Sequence, residues 1–261
     1  MPRIALGLEY DGSDFVGWQI QLAGRSVEGV LAAAVGQVAG EPVNVHGSGR
    51  TDAGVHALQQ VAHFDTTARR TPRQWLLGVN SNLPPDVAVR WVREVPADFD
   101  ARRSALSRRY RYTILQQAAR PALARQRVWW LREPLDCAAM TAASVAWLGE
   151  HDFSAFRAAG CQAKTATRRL MAVRVARQPR GDGHLVTCEF TANAFLQHMV
   201  RNLVGTLAAI GRRELLAADA AAILASRDRT QAGVTAPPAG LVLVEVLYPP
   251  NFGLPRSLDE L

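Results

Sequence analysis

The segment Gly47-Ser48-Gly49-Arg50-Thr51-Asp52-Ala53-Gly54-Val55-His56-Ala57 sets a carboxylate on a loop framed by three glycines within eight positions. Glycine permits tight turns and lets a bulky ligand approach the backbone. The loop is not a phosphate loop, because the lysine and hydroxyl of GxxxxGK[ST] are missing. It also fails GxGxxG, where Asp52 takes the place of the last glycine. By its chemistry alone, Asp52 is either a reactive carboxylate or a turn residue bonding its own backbone. The remaining reactive side chains form no competing pattern. His46, His56 and His63 are spaced by ten and seven residues, and HExxH does not occur. Cys137, Cys161 and Cys188 are odd in number and far apart, which encodes neither a disulfide framework nor a CxxC zinc site. No serine or cysteine sits in a nucleophile elbow. The expectation is a carboxylate acting with no metal and no cofactor.

Charge supplies the second clue. Lys+Arg number 30 against 23 Asp+Glu, a net charge of +7, and Lys164 is the only lysine. Net charge points to a polyanionic partner and no further. Arg102, Arg103, Arg108, Arg109 and Arg111 fall within ten positions, interleaved with Tyr110 and Tyr112. Guanidiniums clamp phosphates, and aromatic rings stack on bases that have left their own stack. The alternative is a solvated arginine face on a strand.

The elements that must position these groups read as a mixture of helix and strand. Strands are expected at residues 3–10, 59–65, 87–95, 108–115 and 241–248. A hairpin is expected from 170–178 through Gly181-Asp182-Gly183 to 184–191. Helices are expected from Ser26 to Gly40 and at 72–82, 140–149, 196–210 and 218–226. On the helix at 196–210, Arg201 and Gly205 lie opposite the apolar stripe. That face is either an approach site or plain solvent surface. The pattern predicts an α+β protein of two units flanking a cleft, residues 1–103 and 104–261. With 48% apolar and 20% charged residues, the chain can bury a core. No stretch nears the roughly 18 apolar residues of a membrane span. Glu9 and Asp11 arrive too early for a signal peptide. The expectation is a soluble, reduced, cytoplasmic protein with no membrane association.

Gly49-Arg50-Thr51-Asp52-Ala53-Gly54-Val55-His56 resembles the signature loop of the tRNA pseudouridine synthase A family. Further motifs resemble the family in the same order along the chain. They are Tyr10-Asp11-Gly12 with Phe15 to Gln19, Ser104-Ala105 with Arg109 to Tyr112, Asp152 to Phe156 with Cys161-Gln162, Asn193-Ala194-Phe195 with His198 to Asn202, and Asp228-Arg229-Thr230 with Gly240-Leu241 and Tyr248-Pro249. Two positions depart from the pattern: Arg103 stands where the family often has an aromatic, and Glu28 replaces a glutamine.

The resemblance implies two ferredoxin-like (RRM-like) halves with mostly antiparallel sheets and a central basic cleft. It implies a homodimer that binds tRNA, needs no metal, and isomerises uridines at positions 38, 39 and 40 of the anticodon stem-loop. By position, Asp52 corresponds to the catalytic aspartate and Tyr110 to the tyrosine packed on the target base. Arg201 corresponds to the basic partner of the aspartate, and Arg50 to the arginine that helps displace the nucleotide. Two rivals share some of these features. A catalytically silent RNA-binding module leaves the glycine-framed Asp52 unexplained. A carboxylate nucleoside hydrolase usually wants a second carboxylate, which the loop lacks.

Overall fold

The computed structural model describes residues 1–256, a mixed α/β architecture whose strand pairs are mostly antiparallel. It divides into two units, Met1–Arg108 with the chain from Val242 onward, and Arg109–Leu241. In the first unit the elements run β1 (Arg3–Tyr10), α1 (Val27–Ala39), β2 (His46–Gly47), β3 (His56–Asp65), α2 (Pro72–Asn82) and β4 (Val87–Val95). Helix α1 starts where Ser26 accepts from the Gly29 N–H and stops where Gly40 turns left-handed, as the sequence predicts. A full capping box of Thr71 and Gln74, with Pro72 in the first turn, starts α2. Strand β1 lies between β4 and β3, antiparallel to both, and β2 pairs with the far edge of β3.

Strand β3 is buried on both of its faces. Phe64 meets the Trp75 ring of α2 edge-on at 5.2 Å. On the opposite phase, His63 meets Phe99 edge-on at 5.9 Å. Phe99 belongs to the connector after β4, which folds back so that the Ala101 N–H donates to His63 Nδ1 at 3.1 Å. The connector thereby covers that face of β3.

The second unit contains β5 (Ser107–Gln116, from Arg109 onward), β6 (Trp129–Leu131), α3 (Cys137–Ser144), β7 (Gly149–Asp152), β8 (Thr167–Arg180), β9 (Gly183–Ala192), α4 (Met199–Gly211) and α5 (Asp219–Ser226). Its strand order is β5-β9-β8-β7, with β6 parallel to β5. The β8–β9 hairpin is longer than expected, and Gly181 opens its two-residue turn at φ 58°. Helix α3 begins and ends earlier than the period suggests. Asp136 caps its start, and the chain leaves through a 3-10 turn for β7, whose first residue Gly149 has φ 101°. Helix α4 begins at Met199 rather than 196 because His198 is left-handed at φ 62°. The last strand, β10 (Leu241–Leu247), pairs in parallel with β3 through Val242 and Leu243. Among the described residues, no helix is long and apolar enough to cross a membrane.

Burial, helped by the nearby Arg3 guanidinium, holds His63 below the ordinary histidine pKa. Its folded form is therefore neutral where the unfolded chain already takes up a proton. Stability from this site is complete above the unfolded value of about 6.5 and is lost as pH falls through the lowered folded value. Urea unfolding between pH 7.5 and 5 is expected to show a falling unfolding free energy. The His63→Gln chain is expected to show a shallower slope over the same window.

Candidate active site

Asp52 sits half-buried on a loop that the amino-terminal motif holds from behind. Gly17 and Asp52 form an isolated antiparallel bridge, and the Trp18 N–H donates to the Thr51 carbonyl at 3.0 Å. The approach is close enough to demand glycine. A β-carbon on Gly17 would stand 2.7 Å from the Thr51 oxygen, and its φ of 112° is one that other residues rarely adopt. Beyond the carboxylate the chain turns tightly, with the Val55 N–H donating to the Asp52 carbonyl at 3.1 Å and Gly54 at φ 77°. His56 is buried, its Nδ1 3.1 Å from the Gly12 N–H and 3.0 Å from Asp11 Oδ1. Glu28, the departure in α1, accepts from the Ile20 N–H at 3.0 Å and so steadies the segment after Trp18.

A polar floor lies under the loop. Gln60, fully buried on β3, accepts from Ser48 Oγ at 2.6 Å and donates to the Gly49 carbonyl at 2.9 Å. The Tyr10 phenol, on β1, shares a hydrogen bond of 2.8 Å with Thr51 Oγ1. Arg108 is buried as well, donating to the carbonyls of Ser48 at 2.8 Å and Arg102 at 2.7 Å. Arg50 is exposed on the same loop.

The arginine cluster therefore divides. Arg102 and Arg103 are exposed, their N–H groups donating to Asp100 Oδ1. Arg108 is an internal strut, neither a solvated nor a phosphate-facing group. In the second unit, Arg111 Nε donates to Glu189 at 2.6 Å, and Arg109 lies 3.8 Å from the same carboxylate. Tyr110 points to the other side of β5, with only 8% of it exposed, and meets the half-buried Phe195 edge-on at 5.1 Å.

Arg201 opens α4, and its Nε donates to the Ala236 carbonyl at 2.7 Å while the Ala236 N–H donates back to the Arg201 carbonyl at 3.1 Å. At Gly205 the face shared with Arg201 is thus neither solvent surface nor open to a ligand. The chain's own 233–236 segment fills it, so closely that a β-carbon on Gly205 would lie 1.6 Å from the Val234 oxygen. Arg229 and Thr235 both donate to Asn202 Oδ1, at 3.0 and 2.7 Å, which fastens that segment to α4. Of the four candidate residues, Asp52 and Arg50 belong to the first unit, and Tyr110 and Arg201 to the second. Among the described residues, no group of three or more His, Cys, Asp or Glu is placed to hold a metal ion.

The family described as tRNA pseudouridine synthase matches residues 8–102 and 143–249. The chain belongs to that family. A protein named tRNA pseudouridine synthase A from Coxiella burnetii (strain RSA 331 / Henzerling II) is 51% identical over 256 residues, covering 98% of this chain and 97% of its own. Proteins of the same name from Xanthomonas euvesicatoria pv. vesicatoria and Xanthomonas oryzae pv. oryzae (strain PXO99A) are each 53% identical over 261 residues. These cover 99% of this chain and 100% of their own. Among solved structures, an unknown protein from Galdieria sulphuraria aligns over 82% of this chain and 93% of its own, at 9% identity and a TM-score of 0.22.

Tyr10 and Phe195 stand in the quoted motifs, but their contacts and the place of Gln60 were not foreseen. The amide of Gln60 beside the apolar Val61-Ala62 is the signal that was available, because most buried amides have a polar partner. For Gly17, the strained φ costs an alanine about 1–3 kcal/mol, and the forced contact about 1–3 kcal/mol more. Gly17→Ala is expected to unfold at clearly lower denaturant than the parent, as a urea titration followed by tryptophan fluorescence would show.

Proposed function

We propose that this chain isomerises uridine to pseudouridine in the anticodon stem-loop of tRNA, at positions 38, 39 and 40, with Asp52 as the catalytic group. The observation that carries the reading is a carboxylate presented half-buried from a signature loop whose backbone is pinned by Trp18 and whose flank is pinned by Gln60. The reaction breaks the C1′–N1 bond of the nucleoside and joins C1′ to C5. The C5 proton is given up and N1 gains one, so the product is an isomer and neither oxidant nor group donor is consumed. A carboxylate acts at the sugar while the base is detached. A base in a stem must first be extruded, at a cost of a few kcal/mol.

In this reading Arg50, exposed beside Asp52, displaces the target nucleotide. Tyr110 packs on the detached uracil, its ring backed by Phe195. Arg201, held by Ala236, keeps the aspartate ionised through charge and hydrogen bonding. We also read each half as ferredoxin-like. In the first unit this is supported by the order β1-α1-β2-β3-α2-β4 with β1 between β4 and β3 and β2 beyond. The family resemblance adds a homodimer working in the cytoplasm and a basic cleft for the anticodon arm.

The decisive experiment uses tRNA carrying tritium at C5 of uracil. Wild-type protein is expected to release tritium to water, whereas Asp52→Asn is expected to bind the same tRNA and release none. Free uracil as the product would instead mean hydrolysis, and no reaction by wild-type protein would mean a binding module. Because exposed arginines such as Arg50, Arg102 and Arg103 meet phosphates, tRNA affinity is expected to fall steeply between about 50 and 200 mM salt. Filter binding across that range checks it, and a flat response speaks against the basic surface.

A further inference from the structure

The signature loop has a second layer of function-bearing residues that its motif does not announce. Tyr10 stands on β1, 41 residues before Thr51, and the bond between their hydroxyls is fully enclosed. Burial pushes the phenol up to about 12, so it stays uncharged at neutral pH. The nearby Gln60 side chain partly opposes that rise. The same amide engages Ser48 and Gly49 on the entering side of the loop. Two neighbouring strands, β1 and β3, thus grip the loop at Ser48, Gly49 and Thr51, the last of these adjacent to Asp52. Nothing in the core requires polar atoms here, since the surrounding positions Leu8, Val61 and Ala62 are apolar and buried. A phenylalanine at 10 would fill the same space and leave Thr51 Oγ1 without that partner.

We infer that Tyr10 and Gln60 are positioning residues, which aim the Asp52 carboxylate at the nucleotide's sugar by holding Thr51 and Gly49. The inference rests on the catalytic role of Asp52 given above. A buried bond of this kind fixes geometry more than it adds stability, and displacement of a reacting group by about 1 Å can cost on the order of 100-fold in rate.

Tyr10→Phe, Thr51→Val, Thr51→Ser and Asp52→Asn in the full chain, assayed by tritium release with filter binding and thermal melting alongside, test this. Tyr10→Phe and Thr51→Val are expected to lower kcat by about 10- to 100-fold while KM and tRNA affinity stay within about twofold. Thr51→Ser, which restores the hydroxyl, is expected to recover most of kcat. The double variant Tyr10→Phe/Thr51→Val is expected to be no slower than the worse single one, because both remove one bond. Wild-type kcat in Tyr10→Phe and Thr51→Val, with Asp52→Asn inactive, overturns the inference and leaves the catalytic reading standing. Loss confined to KM or to tRNA affinity also overturns it. Turnover by Asp52→Asn overturns the catalytic reading itself. Where Tyr10→Phe does not fold, the contrast between Thr51→Val and Thr51→Ser decides alone, and equal kcat in those two counts against the inference.

Discussion

A half-buried carboxylate on a loop needs open space on one side and a firmly fixed backbone on the other. This chain meets both demands through one close backbone approach, Gly17 against Thr51 and Asp52. The approach is possible only where no β-carbon intervenes, and it makes the Tyr10–Gln19 segment and the signature loop a single piece. Much else in the first unit follows from it. Trp18 is drawn over Gly47, whose own β-carbon would stand 2.5 Å from the indole. Glu28 steadies the loop after Trp18, and the arginine at 25 lies on the Phe15 ring and pairs with Asp86.

The same economy is repeated on α4. Arg201 is immobilised by its own chain, through two hydrogen bonds to Ala236 and the contact of Gly205 with Val234. The Asn202, Arg229 and Thr235 cluster secures that segment in turn. A guanidinium held this way has given up rotamer freedom during folding. Arg229 and Arg108 show that an arginine in a basic protein is not by that fact a nucleic-acid contact. Both spend their donors on carbonyl and amide oxygens inside the fold, where the fork of a guanidinium can bridge several acceptors at once.

Several features were legible in the amino-acid order because they rest on local chemistry. Ser26 and Gly40 bound α1, Thr71-Pro72 and Gln74 start α2, and Gly181 turns the β8–β9 hairpin, each through groups a few residues apart. The glycine-framed Asp52 could likewise be singled out from spacing. The division of labour among the arginines could not, since Arg108 and Arg111 differ only in what packs against them from distant segments. The double-sided burial of β3 depended on the connector carrying Phe99 and Ala101, 35 residues or more further on.

Amino-acid order alone set out the chemistry on offer: a carboxylate on a glycine-framed loop, a tyrosine among arginines, and no pattern of metal ligands. Periodicity and caps report interactions within a turn or two of the chain, and for those the order of residues is sufficient. Long-range packing settled which polar groups are buried supports and which stay accessible. That choice depends on burial and on partners such as Tyr10 with Thr51, or Arg201 with Ala236, 35 to 41 residues apart. Such pairs are joined by the folding of the whole core, and no local pattern encodes them.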